Sequence, residues 1–426
     1  MSESKYSMDK IMDYQKSGPL SGMKILDLTQ FLSGPFGTQI LGDLGAEIIK
    51  VEPPGGELSR GVPPYFVEGD SAYYLAVNRN KKSVAIDLKT GRGVELVREL
   101  ALQSDVLVEN NRPGVMERLG LGQVELRARH PRLVYCSISG FGQTGPDRDL
   151  PAYDMIVQAM SGSMSLTGEP GRAPVRAGIP IGDLAAGMYA AMGILAALVE
   201  RQASGRGKFV DIAMLDAQIA MLCYQGAYYL LSDVVPEPQG RGHDSIPTYR
   251  SFECGDGVSL VVTANTERMW RDLCKAVGLP QLANDSRFAD PADRLANKIA
   301  LWEILEARFR AEPAQQWLEK MNSASIPAAL VNTLDKALNA AQVSHRNMLV
   351  DLRSQAGSHL RVPGNPIRFD TEGVADPAYP PHLGEHTHVV LERYLGLDPD
   401  EIRTLQNQGV VRQFVPGMPL PGVKPR

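Results

Sequence analysis

The chain has 426 residues, 43% of them hydrophobic, and a formal net charge of −5. That length accommodates two or three domain-sized units, or one large domain carrying a smaller one, with a sizeable core. The charge is spread without a basic block, so nucleic acid and an anionic membrane are not expected as partners.

Residues 1–16 are polar and lack the apolar segment of a signal peptide. Four apolar positions in seven make 23–29 a buried strand of the parallel kind. Ser33-Gly34-Pro35 opens a helix that Gly45 ends. A second strand covers 46–52, and Pro53-Pro54-Gly55-Gly56 begins a loop-rich stretch up to Asn80. Further strands are read at 83–89, 105–110 and 132–139, with helices over 93–103 and 124–129 between them. This alternation predicts an α/β fold, a parallel sheet with helices on both faces.

A short apolar segment ends at Gly182-Asp183, and a helix of small and apolar residues follows to Val199. Asp183 stands where its N-cap belongs. The most apolar run, 188–199, is too short to span a bilayer. A sixth strand is read at 208–213. The next helix, 215–231, is apolar almost all round and is expected to be buried. A Pro/Gly-rich linker at 234–242 marks a domain boundary. Beyond it, strands near 249–252 and 258–263 and helices over 267–277, 292–310 and 314–322 predict a small α+β domain. From Thr333 the chain returns to helix and irregular structure, ending in a loop-plus-helix tail. The expected division is an N-terminal extension (1–19), a large domain (20–232), a small domain (233–332) and a return to the large domain (333–426). Cys136, Cys223, Cys254 and Cys274 have no metal or redox spacing, so reduced, buried thiols in a cytoplasmic protein are expected.

Gly140-Phe141-Gly142-Gln143-Thr144-Gly145 matches G-x-G-x-x-G after a strand. A dinucleotide site also needs a helix opening directly on the glycines, whereas 146–151 is turn and extended chain. These glycines are read as letting a loop approach something closely. His382, His386 and His388 lack the convergent carboxylates or thiolates of a metal site, and Gly384-Glu385-His386-Thr387 reads better as the entry to a helix. A P-loop is absent. Ligands of open parallel sheets bind beyond the carboxyl ends of the strands. Lys89, Asn110 and Arg118 fall on that rim, and two cations there suit a polyphosphate-bearing ligand. Asp183 has two readings on its own, a capping aspartate or a carboxylate nucleophile.

Taken together and in order, Leu20-Ser21-Gly22-Met23-Lys24-Ile25-Leu26-Asp27-Leu28-Thr29, Ser33-Gly34-Pro35, 44–52, Asn80-Lys81-Lys82-Ser83, Asp87-Leu88-Lys89, Val108-Glu109-Asn110, Arg112-Pro113-Gly114, Ser139-Gly140-Phe141-Gly142, Gly182-Asp183 and Gly384-Glu385-His386-Thr387 resemble the class III CoA-transferase family. This family includes formyl-CoA transferase, carnitine CoA-transferase and α-methylacyl-CoA racemase. The resemblance implies a Rossmann-like large domain built from both chain ends, a smaller domain, and an interlocked homodimer. It implies Asp183 as the catalytic carboxylate and coenzyme A, bound as substrate with no permanent cofactor, at Leu32, Ser33, Leu88, Lys89, Asn110, Arg118, Tyr153 and Asp154. It also implies a CoA-transferase acting through an aspartyl mixed anhydride and an aspartyl-CoA thioester.

Two departures narrow the activity. Racemases of the family carry a histidine where this chain has Tyr153, so one proton-transfer base is missing. The tetraglycine lid of the formyl-CoA transferases is not found; 240–250 stands there instead. The approach to Asp183 resembles the branch using succinyl-CoA with dicarboxylic acids, and Arg60, Arg79, Arg176, His243 and Arg250 are candidates for holding a second carboxylate. A racemase and a catalytically silent CoA-binding protein are the alternatives.

Overall fold

In Ile25-Leu26 and Val106-Leu107 neighbouring residues are both apolar, so both faces of these strands need cover. A computed structural model, describing residues 17–370 and 377–415, shows how they obtain it. Strands β1 (Lys24–Leu28), β2 (Glu47–Glu52), β3 (Lys81–Ile86), β4 (Val106–Glu109), β5 (Val134–Ser139), β6 (Phe209–Ala213) and β7 (Val411–Arg412) form one sheet in the order β7-β3-β2-β1-β4-β5-β6. All neighbours are parallel except β7, which pairs antiparallel with β3, Val411 opposite Ile86.

Helices cover both faces. Leu26, Ile49 and Val84 pack with α2 (Gly91–Leu102) and with Val390 and Leu391 of a late helix, Thr387–Leu395. The alternate residues Ile25, Ile48 and Val106 face the other way, toward α1 (Ser33–Asp43), α4 (Ile181–Ser204) and α5 (Met214–Met221). A shorter helix, α3 (Asp154–Met160), precedes α4, and α6 (Cys223–Ser232) follows α5. The chain runs β1 to β2 to β3 on one side, then crosses to the other side of β1 as β4. That reversal opens a crevice at the carboxyl ends of β1 and β4.

The described residues fall into two units. The larger comprises residues up to Ser163, Ala177–Leu230 and the chain from Arg346 onward. The smaller comprises Met164–Arg176 and Leu231–His345. It contains an antiparallel sheet of Arg250–Glu253, Ser259–Val262 and Ala328–Leu330, packed on helices Glu267–Ala276, Lys298–Phe309 and Ala314–Ser323 around Trp270, Phe309 and Trp317. Segment 164–176 belongs here because Gly168 O accepts the Gly240 N–H at 3.0 Å.

Other differences from the sequence reading have local causes. Asp183 is not the N-cap of α4; Pro180 is, and Asp183 lies in the first turn. The apolar stretch 215–231 breaks at Cys223, whose φ is +47°, and much of α6 is exposed, Cys223 included. At 24 residues, α4 is long and apolar enough by composition to cross a membrane; half of its most apolar window is buried against the rest of the chain. The expected extension at 1–19 lies largely outside the described residues, as do residues 416–426 of the tail.

Candidate active site

The crevice is built from loops that close each other. Asn110, directly after β4, accepts the Gln30 N–H (2.9 Å) and donates to the Gln30 carbonyl (2.8 Å) through the two ends of its amide. It thereby clamps the loop after β1, and its Nδ2 also lies 3.4 Å from Ser33 Oγ. Within that loop Phe31 takes a left-handed φ of +62°, and its ring meets Tyr153 edge-on with centroids 6.1 Å apart. Residues after β1, β4 and β5 thus share one rim. Helix α1 starts at Ser33 with no side-chain cap; Pro35 has no N–H and Phe36 donates to the Leu32 carbonyl, so the Ser33 and Gly34 N–H groups are the ones a ligand could meet.

Asp183 reaches this rim from α4. Gly37 of α1 and Gly187 of α4 are the contact point of the two helices: a Cβ on Gly37 would sit 2.8 Å from the Gly187 carbonyl oxygen, and one on Gly187 would sit 2.5 Å from that of Ser33. One turn earlier on each helix stand Ser33 and Asp183, so the glycine contact brings this pair together. The Ser33 hydroxyl stands close enough to the Asp183 carboxylate to favour its anion. On the other side, Asp154 Oδ1 accepts the N–H groups of Gly182 (2.8 Å) and Asp183 (3.4 Å), supplying the cap that Pro180 lacks. Gln158 holds Asp154 in turn, donating to its Oδ2 at 2.6 Å, and accepts the Ala177 N–H.

Asp183 is half-buried. Desolvation, then the Asp154 charge, push its carboxyl up to about 7, against the opposing influence of the Ser33 hydroxyl. Tyr73, from the short helix Ala72–Leu75, feels both carboxylates, and burial with their charge raises its phenol to about 12. Beneath the crevice is a buried ionic layer. Asp27 meets Lys81 at 3.0 Å and accepts from Thr38, while Lys50 donates to the Thr29 carbonyl at 2.7 Å. Burial alone would raise the Asp27 carboxyl, but Lys81 and Lys50 hold it well below the usual range. This layer ties the backbone of the β1 loop to β2 and β3.

Leu32, Ser33, Asn110, Tyr153, Asp154 and Asp183 therefore gather in one place. Leu88 and Lys89 follow β3, with Lys89 exposed; Arg118 is exposed in the short helix Val115–Arg118 after β4. Between β3 and β4 lie β2 and β1, so the rim spans about 14 Å at ~4.8 Å per strand, the reach of an extended ligand. Arg60 is a correction. It is 3% exposed, with Nε 2.6 Å from Glu52 and Nη1 2.8 Å from Asp70, so it is a structural ion pair and offers a substrate nothing. Arg79 is likewise buried on Asp43. In the smaller unit Arg250 pairs with Glu306 over Trp302, His243 pairs with Asp244, and Arg176 is exposed. Tyr73 and the capping role of Asp154 carried no sequence signal, because each acts across tens of residues, and Gln158 matters only through the Asp154 it holds.

Two other motifs resolve simply. Gly140-to-Gly145 is followed by turns, and a Cβ on Gly140 would lie 2.2 Å from Ala152 Cβ, so close approach explains that glycine. His382 pairs with Glu68 and Asp70, and His386 is buried at the start of helix Thr387–Leu395. Among the described residues no group of three or more His, Cys, Asp or Glu is placed to hold a metal ion.

The sequence and the fold are matched in known proteins. The family model described as CoA-transferase family III matches residues 20–387. The chain belongs to CoA-transferase family III. It is 40% identical over 402 residues to the succinyl-CoA:glutarate CoA-transferase of Mus musculus, covering 94% of this chain and 92% of that one. It is 37% identical over 380 residues to the succinate–glutarate CoA-transferase of Agrobacterium fabrum, covering 88% and 95%. Among solved structures, a CaiB/BaiF family protein from Brucella suis superposes with a TM-score of 0.79 at 35% identity, covering 89% of this chain and all of that one. This family III member is accordingly an acyl-CoA-using transferase with a CaiB/BaiF-like fold.

Proposed function

We propose that the enzyme moves CoA from succinyl-CoA, or a similar dicarboxylic acyl-CoA, to a second carboxylic acid through Asp183. The observation that carries this reading is a half-buried carboxylate beside the Ser33 hydroxyl, on a helix turn capped by Asp154, at the mouth of the sheet crevice. The relatives near 40% identity, named for succinyl-CoA and glutarate, support the substrate class.

In this mechanism an Asp183 oxygen attacks the thioester carbonyl, and collapse of the tetrahedral adduct expels CoA thiolate and leaves a mixed anhydride. The thiolate attacks the Asp183 carbonyl, releasing the donor's carboxylate and forming an aspartyl-CoA thioester. The acceptor carboxylate then displaces thiolate to give a second anhydride. Thiolate attack on the acceptor's carbonyl yields the new acyl-CoA and frees Asp183. Uncapped N–H groups at the start of α1 suit the developing oxyanions. Lys89 and Arg118 suit the phosphates of CoA, and Leu32, Leu88, Asn110 and Tyr153 the remainder of it.

The working form we propose is a homodimer. Met192, Val199, Ile219, Tyr228, Tyr229 and Leu230 on α4, α5 and α6 are all exposed large apolar residues, more than an isolated chain ordinarily presents.

The test is incubation with succinyl-CoA and a pool of acids including glutarate, with mass spectrometry of the CoA esters formed. Hydroxylamine should trap an acyl adduct on the Asp183 peptide, and Asp183→Asn should abolish both signals. Normal turnover by Asp183→Asn would end this reading. Deuterium uptake at the α-carbon of a 2-methylacyl-CoA would favour a racemase instead, and CoA binding without exchange a silent protein.

A further inference from the structure

One buried polar group beside Asp183 has no part in the chemistry above. Gln218, on α5, is 2% exposed. Its Oε1 accepts from Ser161 Oγ at 2.8 Å and Ser163 Oγ at 3.0 Å, which anchors the amide. Its Nε2 faces the first turn of α4 and has no hydrogen-bond partner among the described residues. A Cβ added to Gly182 would lie 2.3 Å from this Nε2 and 3.0 Å from Asp154 Oδ1. Gly182 is helical with no left-handed φ, so conformational freedom does not account for the glycine. Room for the Gln218 amide does.

Leaving a buried amide donor unsatisfied costs about 1–3 kcal/mol, so such a group in a native fold calls for a role. We propose that Gln218 is a positioning residue for the Asp183 nucleophile: its amide, anchored by Ser161 and Ser163, is pressed onto Gly182 beside the Asp154 cap and fixes the first turn of α4. The inference rests on the reading of Asp183 as nucleophile. The titratable groups facing Asp183 are Asp154 from α3 and Tyr73 from Ala72–Leu75, while α1 presents the Ser33 hydroxyl. Against the Asp154 charge the Ser33 hydroxyl favours an ionised Asp183, and in this proposal the Gln218 N–H dipole adds to it. Its loss makes ionisation harder.

The experiment compares Gln218→Leu, Gln218→Glu, Gly182→Ala and the double variant Gly182→Ala/Gln218→Ser, with Asp183→Asn as control, by steady-state kinetics with succinyl-CoA across pH. Gln218→Leu should lower kcat about tenfold or more, the scale of a small misplacement of a reacting group, with KM changed less than about twofold. The acid limb of its pH profile should move to higher pH, and that of Gln218→Glu further still. Gly182→Ala should lose at least about tenfold alone, yet add little loss in the Gln218→Ser background, where the amide no longer meets the new methyl. A wild-type kcat and pH profile for Gln218→Leu, or a Gly182→Ala loss that is the same with and without the Gln218 amide, would overturn the proposal. If Gln218→Leu does not fold, Gln218→Glu and the Gly182 pair decide. An active Asp183→Asn would refute the nucleophile itself. An inactive Asp183→Asn beside an unaltered Gln218→Leu would refute the positioning role alone.

Discussion

Asp183 is held where its charge is disfavoured. With burial and Asp154 pushing the carboxyl to about 7, the anion that the proposed mechanism requires is the minority form in mildly acidic solution. kcat/KM should therefore fall with unit slope as pH drops below about 7. Glu109, also raised to about 7 by burial, lies on β4, so a Glu109→Gln variant that keeps the limb in place assigns it to Asp183. Stability moves the other way. A carboxyl whose folded value is raised favours the protonated native state, so its ionisation costs stability above about 7, and this penalty fades as pH falls toward 4. Asp183→Asn should raise the unfolding free energy by roughly 1–4 kcal/mol at pH 8 and by much less at pH 5, measured by urea titration. Lys81 has the opposite character. Lys81→Met leaves Asp27 buried without its 3.0 Å partner and should cost about 3–5 kcal/mol. The helix start at Gly182-Asp183 was legible in the small residues that follow it. The cap was not, because its acceptor comes from Asp154 on a separate helix, and no local pattern links the two.

At the scale of elements, α1 and α4 set the spacing of the site through two glycines. Gly187→Ala places a methyl against the Ser33 carbonyl and forces the helices apart. The expected result is a loss of about 1–3 kcal/mol in stability, read by thermal melts, together with a fall in kcat as Ser33 and Asp183 separate. The parallel strands β1 to β6 were legible as short aliphatic-rich runs bounded by turn residues, although β3 opens on Lys81-Lys82 and starts two residues before the strand read at 83–89. Several other strands were not. Ala328–Leu330 has three residues and β7 two, too short for any period, and Leu349–Arg353 with His359–Pro363 forms a hairpin rich in charged residues. The break between α5 and α6 was also missed, since all-round apolarity reads as a buried helix whether the cover comes from the same chain or from another.

At the scale of the molecule, that same apolarity predicts association. Sedimentation should find a dimer at micromolar concentration, and Tyr228→Asp, on the exposed face of α6, should shift it toward monomer. The resemblance indicated a chain that leaves the large domain and returns; the described structure adds Met164–Arg176 to the smaller unit and ends that unit at His345.

The return of the chain has a consequence for biosynthesis. β3 is an edge strand until Val411 and Arg412 pair with it, roughly 300 residues later in the sequence. At about 10 residues per second, the ribosome leaves that edge open on the order of half a minute after β3 emerges. A nascent chain with an unpaired apolar edge strand is a template for its neighbours on the same polysome. The final dipeptide strand, negligible as a share of the sheet, thus acts as a completion signal. Truncation before Val411 should yield a protein that is synthesised normally and recovered in aggregates.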